Sequence, residues 1–471
     1  MSPPVADISM RAGGRADRAT AEPRERFLTL PRTAAVGVFL LFAVTFDDTH
    51  VEDDGSIYFA FLRKVFGAHV SAFAYQFGST VWDAPFYLFS QFVAIRGQFG
   101  SYGAGEVGIA AASNAAVVVT LYLGWKILRK LDLPRGPAVL LLTLFGTPLF
   151  YYGALSPSLK HAADAVYSTA LFWFVLRSTG EDQRRRDYVA AGACLALLLA
   201  TRFANITYWV GVLPVLGVFG LRRQASWMLA SAVVATAILF SVPVVRHIPY
   251  GTPPTGVYAL PASGGDAPVF LTPDTQRLAL GPTSIIHPVS RSIVFDPAAP
   301  LKMLFTLHRG LFVWTPLTIF AVLGFAMLVA RDRRRRTFLL TMAASAVALV
   351  AVHAFWGGDW VGGNSFSARF LTSLFPIFLV GTAEFLRRAG RLGAAVLGLC
   401  ACFSVWLGFV LFHGYLNESE KDSVVTLVGN FESILGPRLG PYSKPNNVQS
   451  SVRLVGDDIG ARWRFYWGLV S

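Results

Sequence analysis

A dense group of acidic residues lies at 47–54, directly after the first long apolar segment of the chain. This segment reads DDTHVEDD and holds five carboxylates in eight residues. Carboxylates this close repel one another, so we expect some to be protonated, to bind a cation or to pair with a basic group. Such a carboxylate can serve as a general base or as an oxygen ligand for a divalent cation. The alternative is a solvated loop that only marks the membrane boundary.

A second polar segment, residues 356–369, reads WGGDWVGGNSFSAR and carries four glycines before its arginine. The glycines allow the backbone to approach a ligand closely, and Arg369 offers a planar fork of donors that matches a phosphate group. Alternatively, Arg369 only extends toward lipid headgroups, although that role does not require the glycine-rich loop before it.

Basic residues recur at three further places beside apolar segments. Lys160 and His161 begin one such segment. Arg202 separates two short ones, and Arg309 precedes another. Ionisable groups next to hydrocarbon usually face a cavity or a partner, although each of these could also be an interfacial anchor. Together they predict a cationic site for a phosphate group on the same side of the membrane as the acidic segment.

The elements that must position these groups are membrane-spanning helices. The chain has 471 residues, 54% of them hydrophobic and 15% charged, with a mean hydropathy of +0.50, which is too apolar for a soluble protein. Apolar segments lie near 31–46, 107–125, 137–153, 161–177, 188–201, 206–220, 226–245, 311–330, 337–355, 370–386 and 392–413. We therefore predict an all-α, polytopic transmembrane helical bundle of about eleven spans, with extracytoplasmic loops and interfacial helices.

The positions of lysine and arginine predict the orientation. With a cytoplasmic N-terminus, 24 of the 41 Lys and Arg residues fall in short cytoplasmic segments. These segments are 1–32, 126–136, 177–187, 222–223, 331–336 and 387–391. Every one then obeys the positive-inside rule, so we expect a multi-pass protein of the cell membrane with an extracytoplasmic C-terminus. This topology accounts for the net charge of +13 without a nucleic-acid partner.

The outer segments are expected to hold the functional residues. Two of them are loops, 47–106 and 246–310, and the amphipathic stretch at 57–66 in the first favours an interfacial helix. The second is rich in proline and glycine, which predicts little regular structure. The chain is thus divided into a disordered cytoplasmic tail at 1–30, a transmembrane domain at 31–415 and an extracytoplasmic tail at 416–471.

Three short motifs carry a family resemblance. They read DDGSIYF at 53–59, RGLFVWTP at 309–316, and WGG, SFSARFL and FP within 356–376. Together with the pattern of spans over about 31–415, they resemble the polytopic glycosyltransferases of the C superfamily. These are the relatives of protein O-mannosyltransferases and of the lipid A aminoarabinose transferase.

The resemblance implies a membrane glycosyltransferase that moves a sugar from a polyprenyl-phosphate-linked donor to an extracytoplasmic acceptor, which could be a glycan, a lipid or a protein of the cell envelope. In the relatives, an acidic residue shortly before an aromatic residue acts as the base or positions the acceptor. Counting back from Tyr58 indicates Asp54, with Asp53 as the alternative. Gly55 departs from the Asp-Glu pair of several relatives, which also leaves Glu52 open.

The proposed chemistry needs a base and several cations. The base takes the proton of the acceptor, and the cations stabilise the leaving phosphate as its charge develops. We expect the donor phosphate to be bound by Arg369, Arg309, Lys160, His161 and Arg202. Whether a divalent cation bridges carboxylates of the acidic segment is left open.

Two other classes of protein remain. A lipid or sugar transporter, or a flippase, would share the number of spans, but it has little need for an acidic outer loop and would carry broken helices within the membrane. In a non-catalytic scaffold, the acidic segment would have no chemical role. Substituting the acidic residues distinguishes these classes, because an enzyme would lose turnover while keeping its fold and its lipid binding.

Overall fold

The protein is a bundle of α-helices. The computed structural model describes residues 53–70, 72–93, 104–134, 136–157, 159–179, 184–250, 295–307, 309–356 and 366–414. In chain order the helices are α1 (Asp53–Val65), α2 (Ser79–Val93), α3 (Ala104–Lys130), α4 (Pro137–Phe145), α5 (His161–Ser178), α6 (Arg185–Thr201), α7 (Ile206–Val218), α8 (Arg222–Val245), α9 (Ala299–Phe305), α10 (Leu311–Trp314), α11 (Leu317–Arg331), α12 (Arg336–Val352) and α13 (Phe375–Gly414). No β-strand occurs in these ranges, and the predicted all-α membrane bundle is confirmed.

Within the described ranges, four helical segments are long and apolar enough to cross a membrane: Val107–Lys130, Arg222–Val245, Arg336–Phe355 and Arg369–Gly408. The last contains Gly390 at φ 58° and ψ −140°, so the chain turns there between the two spans predicted at 370–386 and 392–413. The other predicted spans within the described ranges are also helical, but they form shorter helices. The segment 31–46 lies outside those ranges, so the total number of crossings stays a prediction.

Several apolar segments are broken helices. The segment predicted at 137–153 ends as α4 before Gly146 and continues as a π-helical turn, Tyr151–Leu155. Pro148 lies in this break, and Pro316 separates α10 from α11. Proline lacks the backbone N–H that a continuous helix requires, which favours a break at both places. Three further short turns in the described ranges, Phe203–Asn205, His353–Trp356 and Arg369–Leu374, are 3₁₀-helical and carry residues of the candidate site.

Helix α5 lies in the middle of the bundle, and most of its side chains are buried. It packs against α3, α6 and the turn Arg369–Leu374. By contrast, α8 exposes Val233, Val234, Ile238 and Val244. A helix that is apolar on its outer face is expected where that face meets lipid.

The apolar side of α1 is covered by protein. Ile57, Tyr58, Phe59, Phe61 and Leu62 are all buried. They pack against α2 and against the segment 72–77, with the Phe61 and Phe77 rings stacked at 5.0 Å. The helix predicted in this stretch is present, and its aromatic residues bind it to the bundle.

Three of the segments predicted to be cytoplasmic lie together. Arg335 bonds to Asp132, and its Nη1 donates to the Leu131 carbonyl at 3.1 Å. Arg331 lies 3.5 Å from Glu384, which is close to the segment 387–391. These contacts join 126–136, 331–336 and 387–391, in agreement with loops on one side of a membrane.

Helices α11 and α13 approach so closely that only glycine fits between them. A Cβ atom added at Gly381 would lie 1.8 Å from the carbonyl oxygen of Ala321, and one added at Gly324 would lie 2.1 Å from that of Gly381. Small residues at such positions are typical of membrane helix pairs, where close packing replaces the hydrophobic effect as the driving force.

Gly381→Ala is therefore expected to lower the free energy of unfolding by about 1–3 kcal/mol, because the helices must separate. Gly398→Ala is the matched control, since nothing lies within 4 Å of the added carbon there. That variant should be neutral or slightly more stable, because alanine favours a helix over glycine. Thermal unfolding in one detergent would compare them, and equal stability of the two variants would contradict the close approach.

Candidate functional site

Lys160 lies at the start of α5 in a pocket of aromatic and amide groups. It is buried, and its Nζ donates a hydrogen bond to Oε1 of Gln76. The same nitrogen lies 5.3 Å from the centre of the Tyr58 ring and 5.1 Å from that of Tyr75. A lysine ammonium over an aromatic face is attracted by the negative electrostatic potential of the ring quadrupole, so these contacts hold the ammonium group within the protein.

Arg202 is held at the break between α6 and α7. Its Nη1 lies 3.9 Å from Oδ2 of Asp164 and donates to the Phe370 carbonyl at 3.1 Å. Asn205 donates from Nδ2 to Oδ1 of Asp164 at 2.8 Å and to the Leu198 carbonyl at 3.0 Å. Buried charges are tolerated when they are paired and hydrogen-bonded, so this network explains how Arg202 can remain within the bundle.

The ring of Phe370 is shared by three basic side chains. The guanidinium carbon of Arg202 lies 4.2 Å from the ring centre, and that of Arg369 lies 5.3 Å from it. The buried His353 ring stacks on Phe370 at 5.3 Å. Phe370 thus orients both arginines, and its own backbone carbonyl accepts a bond from one of them.

Four of the five predicted phosphate-binding residues form one cluster. His161 interacts electrostatically with Lys160, Arg202 and Arg369. Among the residues described for this cluster, Lys160, Arg202 and Arg369 are cationic at neutral pH, and Asp164 is the carboxylate beside Arg202. The cluster therefore has an excess of positive charge, which suits a phosphate dianion.

Arg309, the fifth predicted residue, is linked to His161 of the cluster through a series of aromatic residues. It is buried, with its guanidinium 4.8 Å from the centre of the Trp314 ring. Trp314 packs edge to face against Phe366 at 5.6 Å. The Tyr152 hydroxyl donates to the Phe366 carbonyl at 2.9 Å, and the Tyr152 ring lies 4.5 Å from that of His161.

The acidic segment is described only in part. Asp53 and Asp54 are the first residues of α1, whereas Glu52 lies outside the described residues. Asp54 precedes Tyr58 by four residues, which is about one helical turn. Since the Tyr58 ring contacts Lys160, α1 begins close to the cationic cluster. The backbone therefore brings the predicted base near the predicted phosphate site.

No group of three or more His, Cys, Asp or Glu side chains in the described ranges could hold a metal ion. Residues 47–52 of the acidic segment, where a divalent cation was considered, lie outside those ranges. The glycine-rich loop before Phe366 also lies outside the described residues.

Several site residues were not predicted from the sequence. Tyr75 and Gln76 belong to an ordinary loop, and Phe370 and His353 lie in apolar surroundings that resemble any membrane span. One backbone signal exists only in the structure: Gln76 and Ser367 have φ of 48° and 54°, which non-glycine residues rarely adopt. Such strain is often found at functional sites.

Asp83 is a further buried carboxyl group, on α2. It interacts electrostatically with Tyr167 of α5, whose hydroxyl donates to the Gly78 carbonyl at 3.2 Å. Burial raises the pKa of Asp83 well above the usual range of a carboxyl group. Its protonated form is therefore favoured in the folded protein.

Asp83→Asn is expected to remove a pH-dependent loss of stability. The pKa of Asp83 is raised on folding. Its contribution to folding stability is therefore complete below the unfolded pKa of about 3.9 and is lost as the pH rises through the native pKa. The wild-type protein should thus become less stable than Asp83→Asn as the pH rises above about 4. Thermal unfolding of both proteins across pH would test this, and a constant difference would contradict it.

The comparisons with known proteins add a similarity of architecture. No protein-family profile and no curated protein sequence matches this chain. Among solved structures, it is similar to ArnT from Cupriavidus metallidurans bound to undecaprenyl phosphate, with a TM-score of 0.49 and 16% identity over 95% of this chain and 73% of ArnT. A similarity at this level does not extend to the substrate or the activity of this chain.

Proposed function

We propose that the protein is a membrane glycosyltransferase, which moves a sugar from a polyprenyl-phosphate-linked donor to an extracytoplasmic acceptor. The observation that carries this proposal is the convergence of Lys160, Arg202 and Arg369 next to the start of α1. The motif resemblance at 53–59, 309–316 and 356–376 supports the same class of enzyme.

The cluster suits a leaving phosphate. When the acceptor oxygen attacks the anomeric carbon, the bond from that carbon to the phosphate oxygen breaks, and polyprenyl phosphate leaves with the electron pair. Negative charge then develops on the phosphate, where fixed cationic donors stabilise it most effectively in a dry site. Arg202 and Arg369 present planar forks of donors, and Lys160 adds a point charge.

A carboxylate of the acidic segment is the proposed base. It takes the proton of the acceptor hydroxyl as the new glycosidic bond forms. Asp54 is the first choice, with Asp53 and Glu52 as alternatives. In the proposed orientation these residues and the cationic cluster face the outside of the cell membrane, with the N-terminus in the cytoplasm and the C-terminus outside.

A transporter or flippase of lipid-linked sugars is the second candidate. The observation that favours it is the set of helix breaks at Pro148, at Phe203–Asn205 and before Pro316, since discontinuous helices are typical of transporter binding sites. The break at Phe203–Asn205 also positions Arg202 of the cationic cluster, so a helix break is compatible with either function. Only the enzyme needs the acidic residues at the start of α1.

Incubating the purified protein with a polyprenyl-phosphate sugar and candidate acceptors tests the proposal. We expect free polyprenyl phosphate and glycosylated acceptor to form together, in equal amounts. The second candidate predicts movement of intact donor across a proteoliposome membrane with no cleavage. That result would overturn the proposed enzyme activity.

A further inference from the structure

A group of arginines surrounds one buried glutamate at the far ends of α11 and of the first part of α13. Glu384 is 0% exposed. Arg387 binds it in a bidentate manner, with Nε 2.8 Å from Oε2 and Nη2 2.7 Å from Oε1. Arg388 donates from Nε to Oε1 at 2.8 Å, and Arg331 lies 3.5 Å from Oε2. We call these four residues the Glu384 cluster.

The Glu384 cluster contains more positive charge than the glutamate requires. Arg387 alone satisfies both carboxylate oxygens, yet two further guanidinium groups lie against them. Three cations with one carboxylate leave an excess of two positive charges. The arginine side chains are 35–45% exposed, and each guanidinium has five N–H donors, so donors remain that point away from Glu384.

The cluster lies where the chain leaves the apolar part of the bundle. Arg331 is the last residue of α11, and Arg387 and Arg388 come shortly before the turn at Gly390. Beyond this turn, Leu392 is 77% exposed and Leu399 is 73% exposed. Exposed leucines after a basic group are the arrangement expected at the depth of lipid headgroups, with hydrocarbon beyond them.

We propose that the Glu384 cluster binds the headgroup phosphate of an anionic phospholipid, whose acyl chains lie along the exposed leucines of α13. The buried glutamate holds the arginines in place before the lipid arrives, which reduces the ordering needed on binding. The arginine forks match phosphate oxygens, and the excess positive charge favours an anionic lipid over a zwitterionic one. This site is separate from the proposed active site and does not depend on the proposed activity.

Thermal unfolding of the full chain in detergent, with added phosphatidylglycerol or phosphatidylcholine, tests the proposal. We expect phosphatidylglycerol to raise the unfolding temperature more than phosphatidylcholine does. Arg388→Gln should weaken the apparent affinity for phosphatidylglycerol about fivefold, as expected for one basic residue at a membrane surface. Arg222→Gln is the matched control, because Arg222 is exposed in another predicted cytoplasmic segment, and it should keep the wild-type response.

Three results would overturn the proposal. Equal stabilisation by the two lipids would remove the preference for an anionic headgroup. If Arg388→Gln and Arg222→Gln lose the same amount of affinity for phosphatidylglycerol, the lipid is attracted by the overall positive charge and not by the Glu384 cluster. If inorganic phosphate stabilises the protein as much as phosphatidylglycerol does, the cluster is a site for a free anion. If Arg388→Gln does not fold, Arg388→Lys tests the proposal in its place, because lysine keeps the positive charge and loses the planar fork of donors. An unchanged lipid response in that variant would also contradict the proposed geometry.

Discussion

Asp54→Asn is expected to lower the rate of sugar transfer by about 10²–10⁴-fold, the usual contribution of a general base. The amide keeps the size of the side chain but cannot take the proton of the acceptor. Thermal stability should change little, because a base that meets an acceptor lies in a solvated cavity and not in the core. Turnover with a polyprenyl-phosphate sugar and the unfolding temperature would be measured on the same preparation.

Asp53→Asn and Glu52→Gln are the matched controls for this prediction, since each removes one charge from the same segment. Full activity in Asp54→Asn together with an inactive Asp53→Asn would move the base by one position. Loss of folded protein in Asp54→Asn would instead indicate a structural role. Binding of polyprenyl phosphate should survive in all three variants, because the cationic cluster remains.

Arg369→Lys is expected to lower kcat by about 10²–10³-fold, as when one fixed donor at a developing charge is removed. Lysine keeps the positive charge but loses the planar fork and its second donor. In the structure, Arg369 is only partly exposed, with its guanidinium over the Phe370 ring and near Arg202, so it is placed for a ligand within the protein. Steady-state kinetics with a polyprenyl-phosphate donor would measure the effect.

Arg246→Lys is the control for Arg369→Lys, because Arg246 is exposed at the end of α8 and can extend into water in either form. Its kcat should be unchanged. Gly363→Ala should also slow turnover, since a Cβ atom would keep the glycine-rich loop from its ligand. Wild-type turnover in both Arg369→Lys and Gly363→Ala would exclude residues 356–369 from the active site and leave Lys160 and Arg202 as the main phosphate candidates.

The helical character of the bundle was predictable, because apolar length and the absence of charge are local properties of the chain. The breaks were harder to predict. The segment at 137–153 looks continuous by hydropathy, yet it stops before Gly146 and resumes as a π-helical turn. A proline in an apolar segment can kink a helix or end it, and the outcome depends on which neighbours accept the freed backbone groups.

The candidate site was predictable as a set of residue types and not as an arrangement. Lys160, Arg202 and Arg369 stand out because ionisable groups beside hydrocarbon are costly unless they have partners. Their partners do not stand out. Phe370 is one of 38 phenylalanines, and nothing in its local sequence indicates that two arginines and a histidine share its ring.

The sequence by itself determined that this protein lies in a membrane and predicted which loops face the cytoplasm, because both depend on the hydrophobicity and charge of short segments. Only the tertiary structure decided that residues 160, 202 and 369 lie in one cationic cluster, and that aromatic residues link Arg309 to it. Contacts between residues so far apart in the chain depend on how α5, the break after α6 and the turn before α13 pack together. The tertiary structure also decided that three arginines bind Glu384, since hydropathy does not show which charged residues share one buried partner.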